Sequence, residues 1–307
     1  MGDGERVRVN GLDMFVRRVG DPALPPLVVV HGGPTWDHSY LAPAVERLGD
    51  VAHVVMFDLR GCGRSARVPP LGTLPVDDLR PTLLADDVAG LVGHLGVERA
   101  DVLGFSYGGM IAMRAVDRHP GRVRRLLLAS TTAYRDGWQA DLEADPEYRR
   151  RLTLRPPVRF DDPALVGPHA PDGALSRAMA HTSATRDIWR LDRLDEWDRV
   201  LDGVRFSSDW NGPSLAGVRR PAAPDDAPAV LRRWGRPVLV VQGEHDLSFP
   251  VALADRLHTE VPGSTLARVP DAGHMAHFDN PDAWDAAVRG FLTGPSWVDG
   301  RGDGGAH

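Results

Sequence analysis

Residues 104–108 read Gly104-Phe105-Ser106-Tyr107-Gly108, and Gly109 follows. A serine between paired glycines can do chemistry if a sharp turn lifts its hydroxyl clear of the main chain. The glycines permit such a turn, because neighbouring backbone can approach positions that carry no Cβ. A helix beginning just after the serine would place the positive end of its dipole where negative charge develops. A hydroxyl is a weak nucleophile alone; it needs a base, and the base needs an acid to orient it. Asp271-Ala272-Gly273-His274 offers His274 as the base, and Gly243-Glu244-His245-Asp246 offers Asp246 as the acid. Glu244 and Asp271 are the rival acids. Among twelve histidines, His94 and His119 fall in helical patterns and read as solvated. Attack on a carbonyl creates an oxyanion, and each amide donor aimed at it is worth about 3–4 kcal/mol. The amide of Tyr107, directly after the serine, is one candidate. The turn His31-Gly32-Gly33-Pro34 supplies the other. Gly33 is its donor, because proline has no N–H. His31 reads as a structural residue of that turn.

These side chains are far apart along the chain, so a scaffold must gather them. Short apolar runs at 27–30, 51–57, 100–103, 126–129, 238–241 and 265–269 have the length of strands. Continuous runs of this kind suit strands buried on both faces of a parallel sheet. Residues 12–16 alternate imperfectly, as a half-buried strand does. Leu79, Leu83, Leu84, Val88, Leu91, Val92 and Leu95 recur at helical spacing, with Gly96 as a stop. Residues 110–116, 251–257 and 283–292 also read as helices. Alternating strands and helices predict an α/β fold, a mostly parallel central sheet flanked by helices. Loops that follow parallel strands emerge at one edge of the sheet. Ser106, Asp246 and His274 each lie just past a predicted strand, so that edge is where they would meet.

The alternation stops after residue 130 and resumes at 235. The interval 131–234 is rich in proline, with short helices expected near 142–152, 175–181 and 188–201. Structureless loops that long are uncommon. The reading is therefore a core of 1–130 and 235–293, a helical cap of 131–234, and a glycine-rich, disordered tail of 294–307. Five of the eight tryptophans fall in the cap interval: Trp138, Trp189, Trp197, Trp210 and Trp234. Most would fill the cap's own core. Trp36, beside the oxyanion turn, with Trp138, Trp189 and Trp210, are the candidates for lining a substrate pocket.

Composition removes other classes. The chain has 307 residues, 42% of them hydrophobic and 25% charged, which are globular values. A net charge of −6 argues against a nucleic-acid footprint. All 36 basic residues are arginine, which excludes Schiff-base lysines, a P-loop lysine and a Ser-Lys dyad. The single cysteine, Cys62, excludes an internal disulfide and a cysteine zinc site, and it reads as a small buried residue. His31, Asp37 and His38 cluster without zinc-type spacing, so no metal is expected, and no cofactor. No run approaches the ~18 apolar residues of a membrane helix. Residues 1–8 contain no apolar leader segment. The expectation is a cytoplasmic protein whose partner is a small-molecule substrate, not nucleic acid or membrane.

The chain resembles the α/β-hydrolase superfamily, in which G-x-S-x-G is followed by the acid and then the histidine, the order Ser106, Asp246, His274. Within it, the chain is similar to the proline iminopeptidase-like group of serine aminopeptidases. The shared segments are His31-Gly32-Gly33-Pro34 with Asp37-His38-Ser39-Tyr40-Leu41, then Asp58-Leu59-Arg60-Gly61-Cys62-Gly63-Arg64-Ser65, and Asn211-Gly212-Pro213. The resemblance covers about 27–130 and 236–292. It implies hydrolysis of a small amide or peptide through an acyl-enzyme. The alternative is an esterase or lactonase acting on a hydrophobic small molecule, and a lesser one is a non-catalytic ligand-binding sensor. Serine at 106 separates the chain from epoxide and haloalkane hydrolases, which use aspartate there. The departures concern the substrate. Thr35-Trp36 stands where the group has a further glycine. Ser214-Leu215-Ala216-Gly217 follows Asn211-Gly212-Pro213 where an amine-binding glutamate is expected, and Leu247 after Asp246 is not acidic. Glu143, Glu147, Glu196 and Asp209 are the cap acids that could substitute.

Overall fold

Valine and leucine runs with no polar face become the buried middle of one eight-stranded sheet. The structure is a computed structural model that describes residues 4–65, 79–167, 169–211 and 221–294. Apart from Gly294, the expected tail lies outside the described residues, as do Gly212, Pro213 and 214–217. The strands are β1 (Glu5–Val9), β2 (Leu12–Val19), β3 (Pro26–Val30), β4 (His53–Phe57), β5 (Ala100–Phe105), β6 (Val123–Ala129), β7 (Val238–Gly243) and β8 (Thr265–Val269). Their spatial order is β1-β2-β4-β3-β5-β6-β7-β8. From β4 to β8 every pairing is parallel, while β1–β2 and β2–β4 are antiparallel. The sheet is thus mostly parallel, as expected. The sequence reading missed β1, a strand of charged Glu5, Arg6 and Arg8 around Val7 and Val9. The two valines are buried and the charges are exposed. The turn at Asn10-Gly11 has positive φ at both residues, 48° and 77°. That geometry matches the twist of a two-residue hairpin.

Side chains alternate across each strand, so the sheet has two cores. Val28, Val30, Val55, Phe57 and Val102 face one side, under α2 (Pro81–His94) and α3 (Tyr107–Arg118). Leu27, Val29, Val54, Met56 and Leu103 face the other, with α1 (Ala42–Val45) and the buried Trp197 and Trp284.

Between β6 and β7 the described residues form α4 (Gln139–Ala144), α5 (Pro146–Leu152), α6 (Pro163–Val166), α7 (Ala174–Asp187), α8 (Leu194–Gly203) and α9 (Ala227–Trp234). Helices α5, α6 and α8 pack on α7. The last helix behaves differently from the expected cap. α9 packs on α3, and its Ala227, Val230 and Leu231 join the core that holds Val28 and Val102. Its apolar stripe continues the flank of the sheet, so the inserted layer ends before 234. After β7 come α10 (Val251–Glu260), then β8, α11 (Ala276–Asp279) and α12 (Pro281–Thr293).

Candidate active site

β5 ends at Phe105 and α3 begins at Tyr107, leaving Ser106 alone to make the turn at φ 52°, ψ −121°. Left-handed φ is strained for a serine, and such strain gathers at functional sites. The flanking glycines explain how the turn fits. A Cβ on Gly108 would stand 2.1 Å from the Val30 carbonyl oxygen, and one on Gly104 would stand 2.5 Å from the Gly109 Cα. The Ser106 amide donates to the Ala129 carbonyl at 2.9 Å, and the Thr131 hydroxyl donates to the Ser106 carbonyl at 2.6 Å. The elbow is therefore fixed from both sides.

His274 Nε2 lies 3.0 Å from Ser106 Oγ, and its Nδ1 lies 2.9 Å from Asp246 Oδ2. A carboxylate only accepts, so Nδ1 carries the hydrogen and Nε2 is left to accept from the serine. Asp246 is held by three further donors. Gln242 Nε2 reaches Oδ2 at 2.6 Å, and the amides of Ser248 and Phe249 reach Oδ1 at 2.7 and 2.9 Å. The rival acids Glu244 and Asp271 are exposed and outside this line. Burial pulls the His274 pKa down, but Asp246, with a smaller contribution from Asp187, outweighs it and leaves the ring above its ordinary value.

The loop that carries His274 is steadied by Asp279. Its Oδ2 accepts the amides of Gly273 and Trp189, each at 2.8 Å, and its Oδ1 accepts that of Arg190 at 3.1 Å. The Met275 amide donates to the Asp187 carbonyl at 2.8 Å. The histidine loop is thus stitched to residues 187–190 of the insertion. Asp279 was not singled out in the sequence, where nothing distinguishes it from the other acids.

At the oxyanion turn Gly33 has φ 51°, and its carbonyl accepts the amides of Thr35 and Trp36 at 2.5 and 2.8 Å. No described residue accepts the Gly33 N–H. The Tyr107 amide is the first N–H of α3, at the positive end of the helix dipole. His31 is structural, as expected. The Leu59 amide donates to its Nε2 at 2.9 Å, so its Nδ1–H donates to the Gly32 carbonyl at 2.8 Å. Burial lowers its pKa and keeps it neutral. His38 Nδ1 donates to Asp58 Oδ1 at 2.6 Å, and Arg64 pairs with Asp37 at 2.8 Å. The two similar segments of sequence, 31–41 and 58–65, therefore lock onto one another beneath the turn. Burial pushes the Cys62 thiol up, which removes it as a nucleophile near neutral pH.

A cavity of about 170 Å³ opens above the serine, lined by Gly33, Trp36, Tyr40, Phe105, Ser106, Ser183, Asp187, Ser248, His274 and Met275. Of the four tryptophans expected there, only Trp36 lines it. Trp138 is turned onto Phe249 at 5.9 Å, Trp189 is sandwiched between His245 at 3.9 Å and the Arg151 guanidinium at 4.5 Å, and Trp210 donates to the Arg60 carbonyl at 3.1 Å. Each is bound up in joining the insertion to the core.

The expected cap acids are also elsewhere. Glu147 pairs with Arg150 and Arg151, Glu196 pairs with Arg193, Glu143 is exposed, and Asp209 is buried away from the cavity. The carboxylate that does line the cavity is Asp187, at the end of α7. Its Oδ2 accepts the Ser183 hydroxyl at 2.6 Å, and burial raises its pKa despite the nearby His274. Ser183 and Asp187 fall between the helices expected at 175–181 and 188–201, so their shared face on α7 came only with the fold.

Matching against known families decides the assignment: the alpha/beta hydrolase fold matches residues 25–281. The chain belongs to the α/β-hydrolase family. It is a hydrolase built on that fold, and its relatives span several chemistries. It is 28% identical to a Streptomyces coelicolor protein named probable proline iminopeptidase, across 96% of this chain and 94% of that one. It is also 28% identical to haloalkane dehalogenase 2 of Mycobacterium tuberculosis, across 86% of each. Among solved α/β-hydrolase structures, a thermophilic esterase from Thermogutta terrifontis superposes with a TM-score of 0.68 at 25% identity, covering 95% of this chain and 98% of that one. Among the described residues no helix is long and apolar enough to cross a membrane, and no three metal-binding side chains are grouped.

Proposed function

We propose that this α/β-hydrolase cleaves small amides or peptides through an acyl-enzyme on Ser106. The observation that carries the reading is the unbroken line Asp246–His274–Ser106 opening onto a cavity that holds a second carboxylate, Asp187. Ser106 Oγ attacks the carbonyl carbon while its proton passes to His274 Nε2. Asp246 stabilises the imidazolium so formed. The Gly33 and Tyr107 amides hold the oxyanion. When the tetrahedral species collapses, the C–N bond breaks and His274 gives its proton to the departing amine. Water then attacks the ester, again with His274 as base, and Ser106 recovers its proton.

Two features favour a short substrate with a free amine. Drug-sized ligands occupy pockets of roughly 300–1,000 Å³, so a cavity of about 170 Å³ admits a compact acyl group. A carboxylate buried beside only one hydroxyl gains most from a cationic partner, and an ammonium on the acyl group would supply it. The second reading, an ester or lactone of a hydrophobic molecule, draws on the likeness to the esterase and on Trp36, Phe105 and Met275 in the lining.

The test compares hydrolysis of an aminoacyl amide with a free amine against its N-acetylated form, alongside labelling by a fluorophosphonate. The free-amine substrate is expected to be turned over and the acetylated one refused. Preference for the acetylated form or for simple esters supports the second reading. Ser106→Ala is expected to lose both labelling and turnover while melting like the parent. Unchanged labelling of that variant defeats the mechanism.

A further inference from the structure

Tyr40 is a buried tyrosine in the cavity with no part in the mechanism above. It is 3% exposed and stands in the short helical turn His38–Tyr40 that follows the oxyanion loop. Edge contacts with Trp36 and Phe105, at centroid distances of 5.0 and 5.8 Å, hold its ring. Its hydroxyl oxygen accepts the Gly32 amide at 2.8 Å. No described residue accepts the hydroxyl's own proton. A buried donor without an acceptor is destabilising, and native proteins rarely keep one unless a ligand or water completes it. Gly32 itself packs on the nucleophile: a Cβ there would stand 2.8 Å from the Ser106 Cβ.

Resting on the assignment of Ser106 as nucleophile, we propose that the Tyr40 hydroxyl is a third oxyanion donor, delivering its proton as a hydrogen bond to the negative oxygen of the tetrahedral intermediate beside the amides of Gly33 and Tyr107. The chemistry suits the placement. A hydroxyl that accepts a hydrogen bond from an amide becomes a stronger donor through its own O–H. Burial pushes the phenol's pKa up, so the proton stays on the oxygen and is shared rather than lost. A full negative charge takes such a bond more strongly than a neutral carbonyl, so the effect belongs to the transition state. The rings on either side leave the hydroxyl torsion as the group's main freedom, which suits a preorganised donor.

The experiment begins with the wild type on p-nitrophenyl acetate and a fluorophosphonate. Failure at this stage removes the parent reading and says nothing against Tyr40 in particular. Given labelling and turnover, Tyr40→Phe is expected to lower kcat about 10²-fold, the scale of one oxyanion donor, with KM within twofold. That substitution also strips the Gly32 amide of its acceptor, so a second replacement separates donating from holding. 3,5-Difluorotyrosine at position 40 has a more acidic hydroxyl, a better donor and a poorer acceptor. A donor role predicts kcat equal to or above the wild type. A role confined to holding Gly32 predicts that kcat falls with the difluoro residue as it does with phenylalanine, and that result overturns the proposal. So does a Tyr40→Phe enzyme that keeps kcat within twofold or changes KM alone. If Tyr40→Phe fails to fold, the difluoro enzyme decides.

Discussion

Removing the Asp279 carboxylate should damage both stability and catalysis, and the size of each effect follows from its partners. The side chain is 3% exposed and accepts three main-chain amides, those of Trp189, Arg190 and Gly273. Asp279→Ala leaves all three donors without their acceptor. At the low end of ~1 kcal/mol for each unsatisfied buried group, the loss is about 3 kcal/mol, a shift of about 10² in the folding equilibrium. Asp279→Asn is the graded control. Its oxygen can replace Oδ2 and keep two bonds, while its NH₂ faces the Arg190 amide, donor against donor. The expected loss is about 1–2 kcal/mol, since a bond to a charged group is worth roughly 1.5–3 kcal/mol. Catalysis suffers because Gly273 precedes His274. A displacement of ~1 Å at a reacting group can lower the rate about 10²-fold. Urea unfolding gives the stability of each variant, and kcat on a simple aryl ester reports the position of the base. An Asp279→Ala protein within 1 kcal/mol of the parent at unchanged m, with kcat within threefold, would refute the claim that this carboxylate ties the histidine loop to the insertion.

Three other outcomes are expected. The proposed role of His274 requires its neutral form, and its pKa stands above the ordinary 6.5 because Asp246 and Asp187 outweigh burial; kcat/KM for a neutral ester should rise with pH through a midpoint above 6.5, and Asp187→Asn should move that midpoint down. His277 is fully buried, and burial pushes its pKa down to about 3 from 6.5. The unfolded chain therefore takes up a proton that the folded one refuses, so between those values this residue removes about 1.4 kcal/mol of stability for each unit the pH falls; denaturation of His277→Leu across that range should show a correspondingly flatter slope. Gly108→Ala would drive a Cβ to 2.1 Å from the Val30 carbonyl and 2.4 Å from the His31 carbonyl, both main-chain atoms; a loss of about 3 kcal/mol or more is expected on the scale of overpacked sites, and a melting temperature equal to the wild type would show that the elbow has room.

Much of this site was legible before any coordinates. The Gly104–Gly108 segment announced a turn because backbone sterics act over a few residues. Asp246, Glu244 and Asp271 all follow a strand, so the sequence left the last two as rivals; in the structure those two are exposed while Asp246 accepts four donors. The flanking elements were harder. β1 hid its two buried valines among charges, and α9 gave no sign that its apolar stripe would meet α3 rather than the cavity.

The alternation of strands and helices and the chemistry they present can be read locally, because hydrophobic period, glycine sterics and strand-to-loop polarity are properties of short segments. Tertiary structure alone decided what surrounds the serine. Trp138, Trp189 and Trp210 turned to the joints of the insertion while Asp187, Ser183 and Tyr40 came to line the cavity. Which side chain faces a cavity depends on how helices from distant parts of the chain settle on the sheet. That arrangement comes from many packing contacts summed over the whole molecule, and no local pattern carries it.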